Sequence, residues 1–559
     1  MELSFVIAGE AGQGLKTIEI LVMKLLHGSG RHVFMSKELM SRVRGGFNIS
    51  SIRASTEPVD APRDSLDFLF LLSEGGVGLI LKRLGPSSAV ITTAADVNER
   101  IQSIGSKVFA LDARSRLESA GGLSSISAFA LGYLARLLTI DLVTAFDALR
   151  SSIASKGAEV IERNRAAFHA GAAAFDETPI SIELPKGPPL TSALLSGTDA
   201  VSIGAISAGC DFIASYPMSP GTGVLSFLAR KARKYSIAVE QAEDEIAAIT
   251  MALGSWYAGG RAMVTTSGGG FALMAEGMSL AGCVESPLVV HLAQRPGPAT
   301  GLPTRTEQGD LDLALYAGHG EFPRVIYAPG SFDQCRELAA RAFETADAFQ
   351  VPVILLTDQY LLDGAGEAPK VDLAAREFVR HVIESDASYK RYALCPSGIS
   401  PRAIPGFGKG LVRLDSDEHD EAGRITEDYG VRKAMVEKRL RKLEGLEDAA
   451  PELIGDPEAP IMVVGWGSTR GALVEAAKEL GRTDIAVIHF SQVWPVPRGT
   501  KELLGGARKR IIVEGNATGQ FERLLRAETL LGFDASIRSY EGRAFSVENL
   551  VERLRRALA

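Results

Sequence analysis

The chain is predicted to fold as three successive α/β domains, on three observations. Short apolar runs of buried-strand length recur along its 559 residues, stretches with helical apolar spacing alternate with them, and glycine turns follow several of the runs. The length suits three or four domains, each able to bury its own core. In the first domain a strand over 3–8 leads through a glycine turn into a helix over 15–26. Further strands at 68–72, 89–93 and 108–111 alternate with helical stretches such as 127–138, and the domain is expected to end near 175. Residues 176–191 carry Pro179, Pro185, Pro188 and Pro189 and read as a linker.

The second domain is expected over 192–365, with buried-type strands at 211–215, 237–239, 262–265, 288–292 and 353–356 and a helix over 243–258. That pattern predicts a mostly parallel sheet covered by helices. Residues 366–455 are more polar, with an acidic run over 415–421 and a basic helix over 431–442, and read as a connector whose charges belong to a solvated face. A third α/β unit over 456–559 opens at Pro460-Ile-Met-Val-Val-Gly-Trp-Gly and continues through strands at 486–490 and 510–513.

Apolar residues make up 46% and charged residues 23%, and the net charge of -8 gives no basic footprint for nucleic acid. The N-terminus lacks a basic region followed by a long apolar run, and no apolar stretch reaches membrane-spanning length, so a cytoplasmic protein is expected. Cys210, Cys283, Cys335 and Cys395 are widely separated, which matches neither a disulfide framework nor the close spacing of a metal or iron–sulfur site.

Two regions carry chemistry-bearing patterns. Gly9-Glu-Ala-Gly-Gln-Gly14 follows a strand and opens a helix, so it is either a plain tight turn or an anion or coenzyme contact; its glycine spacing is neither that of a dinucleotide fingerprint nor that of a P-loop. Arg42-Val-Arg-Gly-Gly46 could bring cations to the same edge, although a surface turn also accounts for it.

The second domain is more specific. Tyr216-Pro-Met-Ser-Pro220 is a rigid turn directly after a strand, with Ser219 and Thr222 offering hydroxyls. Gln241-x-Glu243-x-Glu245 enters a helix, Ser267-Gly-Gly-Gly270 permits close backbone approach, and Gln294-Arg-Pro-Gly-Pro presents Arg295 on a loop. All of them follow strand C-termini, where open α/β sheets place their ligands. Acids in a first helical turn are ordinarily dipole partners, but here they stand among these neighbours. Thiamine chemistry needs a carboxyl against N1′ of the aminopyrimidine, where a shared proton promotes deprotonation of the thiazolium, and the Gln241-x-Glu243-x-Glu245 stretch can place one acid at that buried point. Arg295 offers a bidentate fork to a carboxylate substrate, and Arg305 is a candidate second contact; either alone would more often be a structural ion pair. The set reads as half of a thiamine-diphosphate site. The residues that would hold the diphosphate are missing, so the other half is expected on another chain.

These motifs resemble the α-subunit of the 2-oxoacid:ferredoxin oxidoreductases in the variant with a γ-type domain fused at the N-terminus. Gly9 to Gly14 and Arg44-Gly-Gly46 look like the γ-type segment. The second-domain motifs, with Thr304 to Gln308, look like a pyrimidine-side thiamine-diphosphate-fold domain. Glu418 to Asp428, Gly465 to Arg470, Gln492 to Pro495 and Val513 to Gln520 look like the remainder, including a transketolase C-terminal-like domain. Met218 and Ser219 stand where the family turn often has Ile-Thr, and Gly269 where Pro is usual.

The resemblance implies a β-subunit that holds thiamine diphosphate, Mg²⁺ and a [4Fe-4S] cluster, with ferredoxin as electron acceptor and coenzyme A as co-substrate. It places Glu243 against N1′, Tyr216, Pro217, Met218 and Gly269 around the cofactor, and Ser219, Thr222, Arg295 and Arg305 toward the substrate. No metal site is expected in this chain. The segment 418–428 and the fused arrangement are most similar to the 2-oxoglutarate branch, with pyruvate or branched-chain oxoacids as alternatives and the assembly either αβ or (αβ)₂. A self-sufficient thiamine decarboxylase would need its own Gly-Asp-Gly and Asn-pair motif, which the sequence lacks; a nucleotide-binding module would rest on Gly9 to Gly14.

Overall fold

The computed structural model describes residues 1–40, 46–73, 75–93, 99–102, 107–120, 122–178, 180, 182, 184–373 and 378–559. The Arg42 to Gly45 part of the basic turn and Pro179 of the linker lie outside them. The chain forms two compact units: Met1–Leu194 with Gly364–Lys370 and Phe545–Glu552, and Leu195–Asp363 with Val371–Ala544 and Arg553–Ala559.

The first unit is built on a mixed sheet. Across it run the strands Lys107–Ala110, Leu84–Thr92, Leu66–Leu71, Glu2–Glu10, Phe47–Ser55 and His32–Glu38. The first four are parallel, whereas Phe47–Ser55 and His32–Glu38 join antiparallel. Phe5, Ile7, Phe68 and Phe70 enter one core, beneath helices Leu15–Gly28, Ile126–Leu137 and Ala158–Phe175, while Val6, Ala8, Leu69 and Leu71 enter another. With both faces covered, alternation vanishes from the sequence and a continuous apolar run remains. Each buried Phe or Leu contributes roughly 1.5–3 kcal/mol. Helices Ile126–Leu137 and Ala158–Phe175 cross at Gly132 and Gly171, where a Cβ on either would collide with a backbone carbonyl, of Phe168 or Phe129 respectively.

The second unit holds two sheets. The larger runs Gln492–Trp494, Val325–Tyr327, Pro352–Asp358, Leu288–Gln294, Ala262–Thr266, Phe212–Ser215, Ala238–Gln241, and every pairing is parallel except that of Gln492–Trp494. The smaller runs Glu452–Ile454, Ile485–Phe490, Ile461–Trp466, Lys509–Glu514, Ala535–Arg538, again parallel apart from its first strand. Gln308 stitches the two sheets: its side chain donates to the Trp466 carbonyl at 2.9 Å and accepts from the Gly515 amide at 2.7 Å, and its own amide donates to the Gly515 carbonyl at 2.7 Å.

The connector corrects the expectation of solvated charges. It is largely irregular up to helix Tyr429–Arg441, and although charges such as Asp417 and Lys433 are exposed, several others are structural. Asp347 is fully buried between Arg261, at 2.7 Å, and Arg402. Glu285 is fully buried against Lys438 and Lys442, both at 2.7 Å. Glu418, in the acidic run, has only 14% of its side chain exposed and pairs with Arg439 at 2.7 Å and with Arg432. Spacing along the sequence shows little of this, because the partners of Asp347 and Glu285 sit on elements far apart in the chain.

Candidate active site

At the C-terminal edge of the larger sheet, four strand ends turn outward. Strand Phe212–Ser215 leads into Tyr216, which is exposed, and into half-buried Pro217, Met218 and Ser219. A buried relay holds this turn. Thr265 Oγ1 donates to the Gly221 carbonyl at 3.2 Å and meets His291 Nδ1 at 2.8 Å, while His291 Nε2 meets Thr357 Oγ1 at 2.8 Å. Burial drives the His291 imidazole down to about 3, so the relay is neutral. Thr222 opens helix Thr222–Tyr235, its amide donating to the Met218 carbonyl at 3.1 Å.

After strand Ala238–Gln241 the three acids separate. Glu243 is exposed on this chain. Asp244 caps helix Glu245–Tyr257 by accepting from the Ala247 amide at 2.7 Å. Glu245 is 3% exposed, with Oε1 unpartnered, and burial together with the Asp244 charge pushes its carboxyl up. The acid expected at a buried point is therefore, in this chain alone, Glu245 rather than Glu243. Glu245 lies under the glycine turn: a Cβ at Gly270 would collide with Glu245 Oε1 and Thr266 Oγ1, whereas Gly269 is exposed with room beside it.

Strand Leu288–Gln294 delivers Arg295. Its Nη1 donates to the Ser219 carbonyl at 2.7 Å, tying two predicted site residues together, while Nε is buried without a partner. Burial lowers its pKa and the Asp310 carboxylate opposes that shift. Sequence reasoning missed Asp310. Its Oδ2 and the Oγ of Ser267 are likewise buried and unpartnered. Arg305 is seated against Gly542 in the loop after the smaller sheet, where a Cβ would stand 3.2 Å from that of Arg305. The structure thus joins Ser219, Arg295 and the Ser267–Gly270 turn at one edge, with Glu243 on the open side.

The Gly9 to Gly14 loop lies in the first unit, where Gly12, Gln13 and Gly14 line a cavity of about 1360 Å³ together with Thr17, Arg114, Ser127, Lys156 and Arg163. Helices Leu15–Gly28, Ala113–Ala120 and Ile126–Leu137 all begin at it. Gly12 and Gly14 have φ of 105° and 77°, which a side chain at either position would strain. Among the described residues no helix is long and apolar enough to cross a membrane, and no cluster of His, Cys, Asp and Glu is arranged to hold a metal ion.

Two family models match the chain: pyruvate ferredoxin/flavodoxin oxidoreductase over residues 4–174, and the thiamine diphosphate-binding part of pyruvate flavodoxin/ferredoxin oxidoreductase over 203–438. The 2-oxoacid:ferredoxin oxidoreductase 2 subunit alpha of Aeropyrum pernix is 37% identical over 403 residues, 66% of this chain and 62% of that one. The 2-oxoglutarate oxidoreductase subunit KorA of Mycobacterium tuberculosis is 32% identical over 452 residues, 77% of this chain and 68% of the relative. The chain spans 60–62% of the length of the A. pernix relative and of a Sulfurisphaera tokodaii counterpart. Among solved structures, 2-oxoglutarate:ferredoxin oxidoreductase from Magnetococcus marinus, with 2-oxoglutarate, coenzyme A and succinyl-CoA bound, matches at a TM-score of 0.91 and 29% identity over 100% of both chains. An N-terminal oxidoreductase segment, a thiamine-binding segment with its strand-end motifs, and relatives named as alpha subunits converge: the chain belongs to the 2-oxoacid:ferredoxin oxidoreductase family, on the side of its alpha subunits.

Proposed function

We propose that this chain is the alpha subunit of a cytoplasmic 2-oxoglutarate:ferredoxin oxidoreductase, converting 2-oxoglutarate, coenzyme A and two oxidised ferredoxins to succinyl-CoA, CO₂, a proton and two reduced ferredoxins, or running the reverse carboxylation. The observation that carries this reading is the strand-end cluster in which Arg295, tied to Ser219, keeps an unpartnered buried nitrogen beside an open glycine turn. Unsatisfied buried polar atoms of this kind suit a site completed by ligands. The preference for 2-oxoglutarate is supported by the KorA relatives and by the full-length likeness to the M. marinus enzyme.

Thiamine diphosphate suits these residues, and when bound it supplies the acidic C–H and the electron sink that decarboxylation of a 2-oxoacid requires. Glu243 holds the proton shared with N1′, and its exposure on this chain becomes burial when a beta subunit closes the site. Tyr216, Pro217, Met218 and Gly269 shape the pyrimidine side. Arg295 takes the substrate carboxylate in a planar fork, with Ser219 and Thr222 offering hydroxyls and Arg305 a more distant charge. A beta subunit would bring the diphosphate site, Mg²⁺ and a [4Fe-4S] cluster, which would supply one-electron chemistry toward ferredoxin.

The test is co-expression with a beta-type partner, followed by assay of ferredoxin reduction with 2-oxoglutarate, pyruvate and branched-chain oxoacids. Dependence on both chains and on coenzyme A, with 2-oxoglutarate turned over most efficiently, is expected; oxoacid cleavage by this chain alone, or a pyruvate preference, would overturn the reading. Within that assay Arg295→Lys should raise the KM for the oxoacid by roughly ten- to a hundredfold, because a bidentate contact becomes a point charge. An unaltered KM would assign Arg295 a purely structural part.

A further inference from the structure

Asp310 occupies the position before the short helix Leu311–Tyr316 where an aspartate ordinarily caps, yet its side chain makes no cap hydrogen bond. The carboxyl turns instead onto the glycine turn: a Cβ at Gly268 would stand 2.6 Å from Oδ2, so only glycine admits this approach. The backbone that aims it is clamped from both sides. The Asp310 amide donates to Gln294 Oε1 at 3.0 Å, and Gln294 Nε2 in turn donates to the Thr357 carbonyl at 3.2 Å. Gln520 brackets the segment, donating to the Gly309 carbonyl at 2.8 Å and accepting from the Asp312 amide at 2.9 Å.

With its backbone held this firmly, a carboxyl whose Oδ2 is buried and unpartnered, within the electrostatic reach of Arg295, is placed to act on what enters there; Arg295 Nε and Ser267 Oγ are likewise buried and unpartnered. The charged groups facing it are few. Arg295 comes from the loop after Leu288–Gln294, and Glu307 from the approach to the helix. Helix Gly268–Leu273, Gly-Gly-Gly-Phe-Ala-Leu, offers no titratable side chain, and Asp312 is taken up by Arg523 at the surface.

We propose that Asp310 is a positioning residue for the oxoacid: with its proton on, it leaves the Arg295 fork open to the substrate carboxylate, and with its proton lost it competes for that fork and repels the incoming anion. This rests on Arg295 being the carboxylate contact. Burial first, and then the Glu307 charge, push the Asp310 carboxyl up to about 7, with Arg295 opposing, so the exchange falls within the working pH range. Substrate binding then favours the protonated form, and by linkage the apparent affinity falls as pH rises through that value.

The experiment is the KM for 2-oxoglutarate in the reconstituted two-subunit complex between pH 6 and 8.5. The unaltered enzyme should show a KM that is flat below about 7 and rises toward about tenfold per pH unit above it. Asp310→Asn, which mimics the protonated carboxyl, should flatten that rise, and Asp310→Ser should do the same if the amide disturbs folding. Glu307→Gln should keep the rise but move its midpoint down, since a like charge has been removed. A rise that survives in Asp310→Asn and Asp310→Ser would overturn the proposal. Arg295→Lys separates the two levels: a KM raised at every pH while Asp310→Asn keeps its slope sinks this inference alone, whereas a KM indifferent to Arg295 sinks the carboxylate reading beneath it.

Discussion

Glu243→Gln in the reconstituted complex should lower kcat by roughly 10²- to 10⁴-fold, the range expected when a positioned proton-sharing acid is lost. The substitution is isosteric and Glu243 is exposed on its own chain, so the melting temperature of the isolated subunit should not move. A stable protein that assembles with its partner and barely turns over is the expected phenotype. Glu245→Gln is the control that gives the result meaning. Glu245 is the buried acid, it carries an unpartnered oxygen, and its carboxyl is pushed up by burial, so on one chain it looks the better candidate. Its effect on kcat should nevertheless be much the smaller, because it lies beneath the glycine turn rather than on the open side. The opposite ranking would move the catalytic proton to Glu245.

That pair of acids shows where sequence legibility ends. The strands around them are readable: Leu288–Gln294 and Pro352–Asp358 are buried at every position, and a parallel sheet covered on both faces leaves no alternative to a continuous apolar run. The turns at Tyr216, Ser267 and Arg295 are readable because they follow such strands. Three acids within Glu243, Asp244 and Glu245 are not separable by pattern, since a one-residue step around a helix start sends one side chain to solvent, one to the cap and one inward.

Asp310 gives no signal at all. An aspartate before a helix is among the common caps, and only the fold reveals that the cap goes unmade. The connector fails for a related reason. Its Arg402 pairs with Asp347 and its Lys438 and Lys442 with Glu285, on elements far away in sequence, and composition alone assigns such charges to solvent.

Glu285→Gln should be among the most destabilising single substitutions in the second unit, costing about 3–5 kcal/mol, because it strands cations in a dry site. Glu285 is fully buried at a left-handed φ of 51°, beneath Lys438 and Lys442, with Arg391 donating to its carbonyl at 2.7 Å. Burial alone would raise its carboxyl, but the two lysines outweigh that and hold it near 2. A depressed carboxylate stabilises the fold fully above its unfolded pKa of about 4.3 and loses that contribution as pH falls toward 2. The stability gap between Glu285→Gln and the unaltered chain should accordingly narrow only in acid. The compensated variant is the sharper measurement. Glu285→Leu combined with Lys438→Met removes anion and cation together, and Lys442, already drawn down to about 7 by burial, can shed its proton once its carboxylate is gone. Thermal unfolding of that double variant should recover most of what Glu285→Gln loses, since buried ion clusters are replaceable by apolar side chains of similar volume. If the double variant melts no higher than Glu285→Gln, stranded charge is not what that substitution costs, because Gln leaves the left-handed backbone at residue 285 as it was.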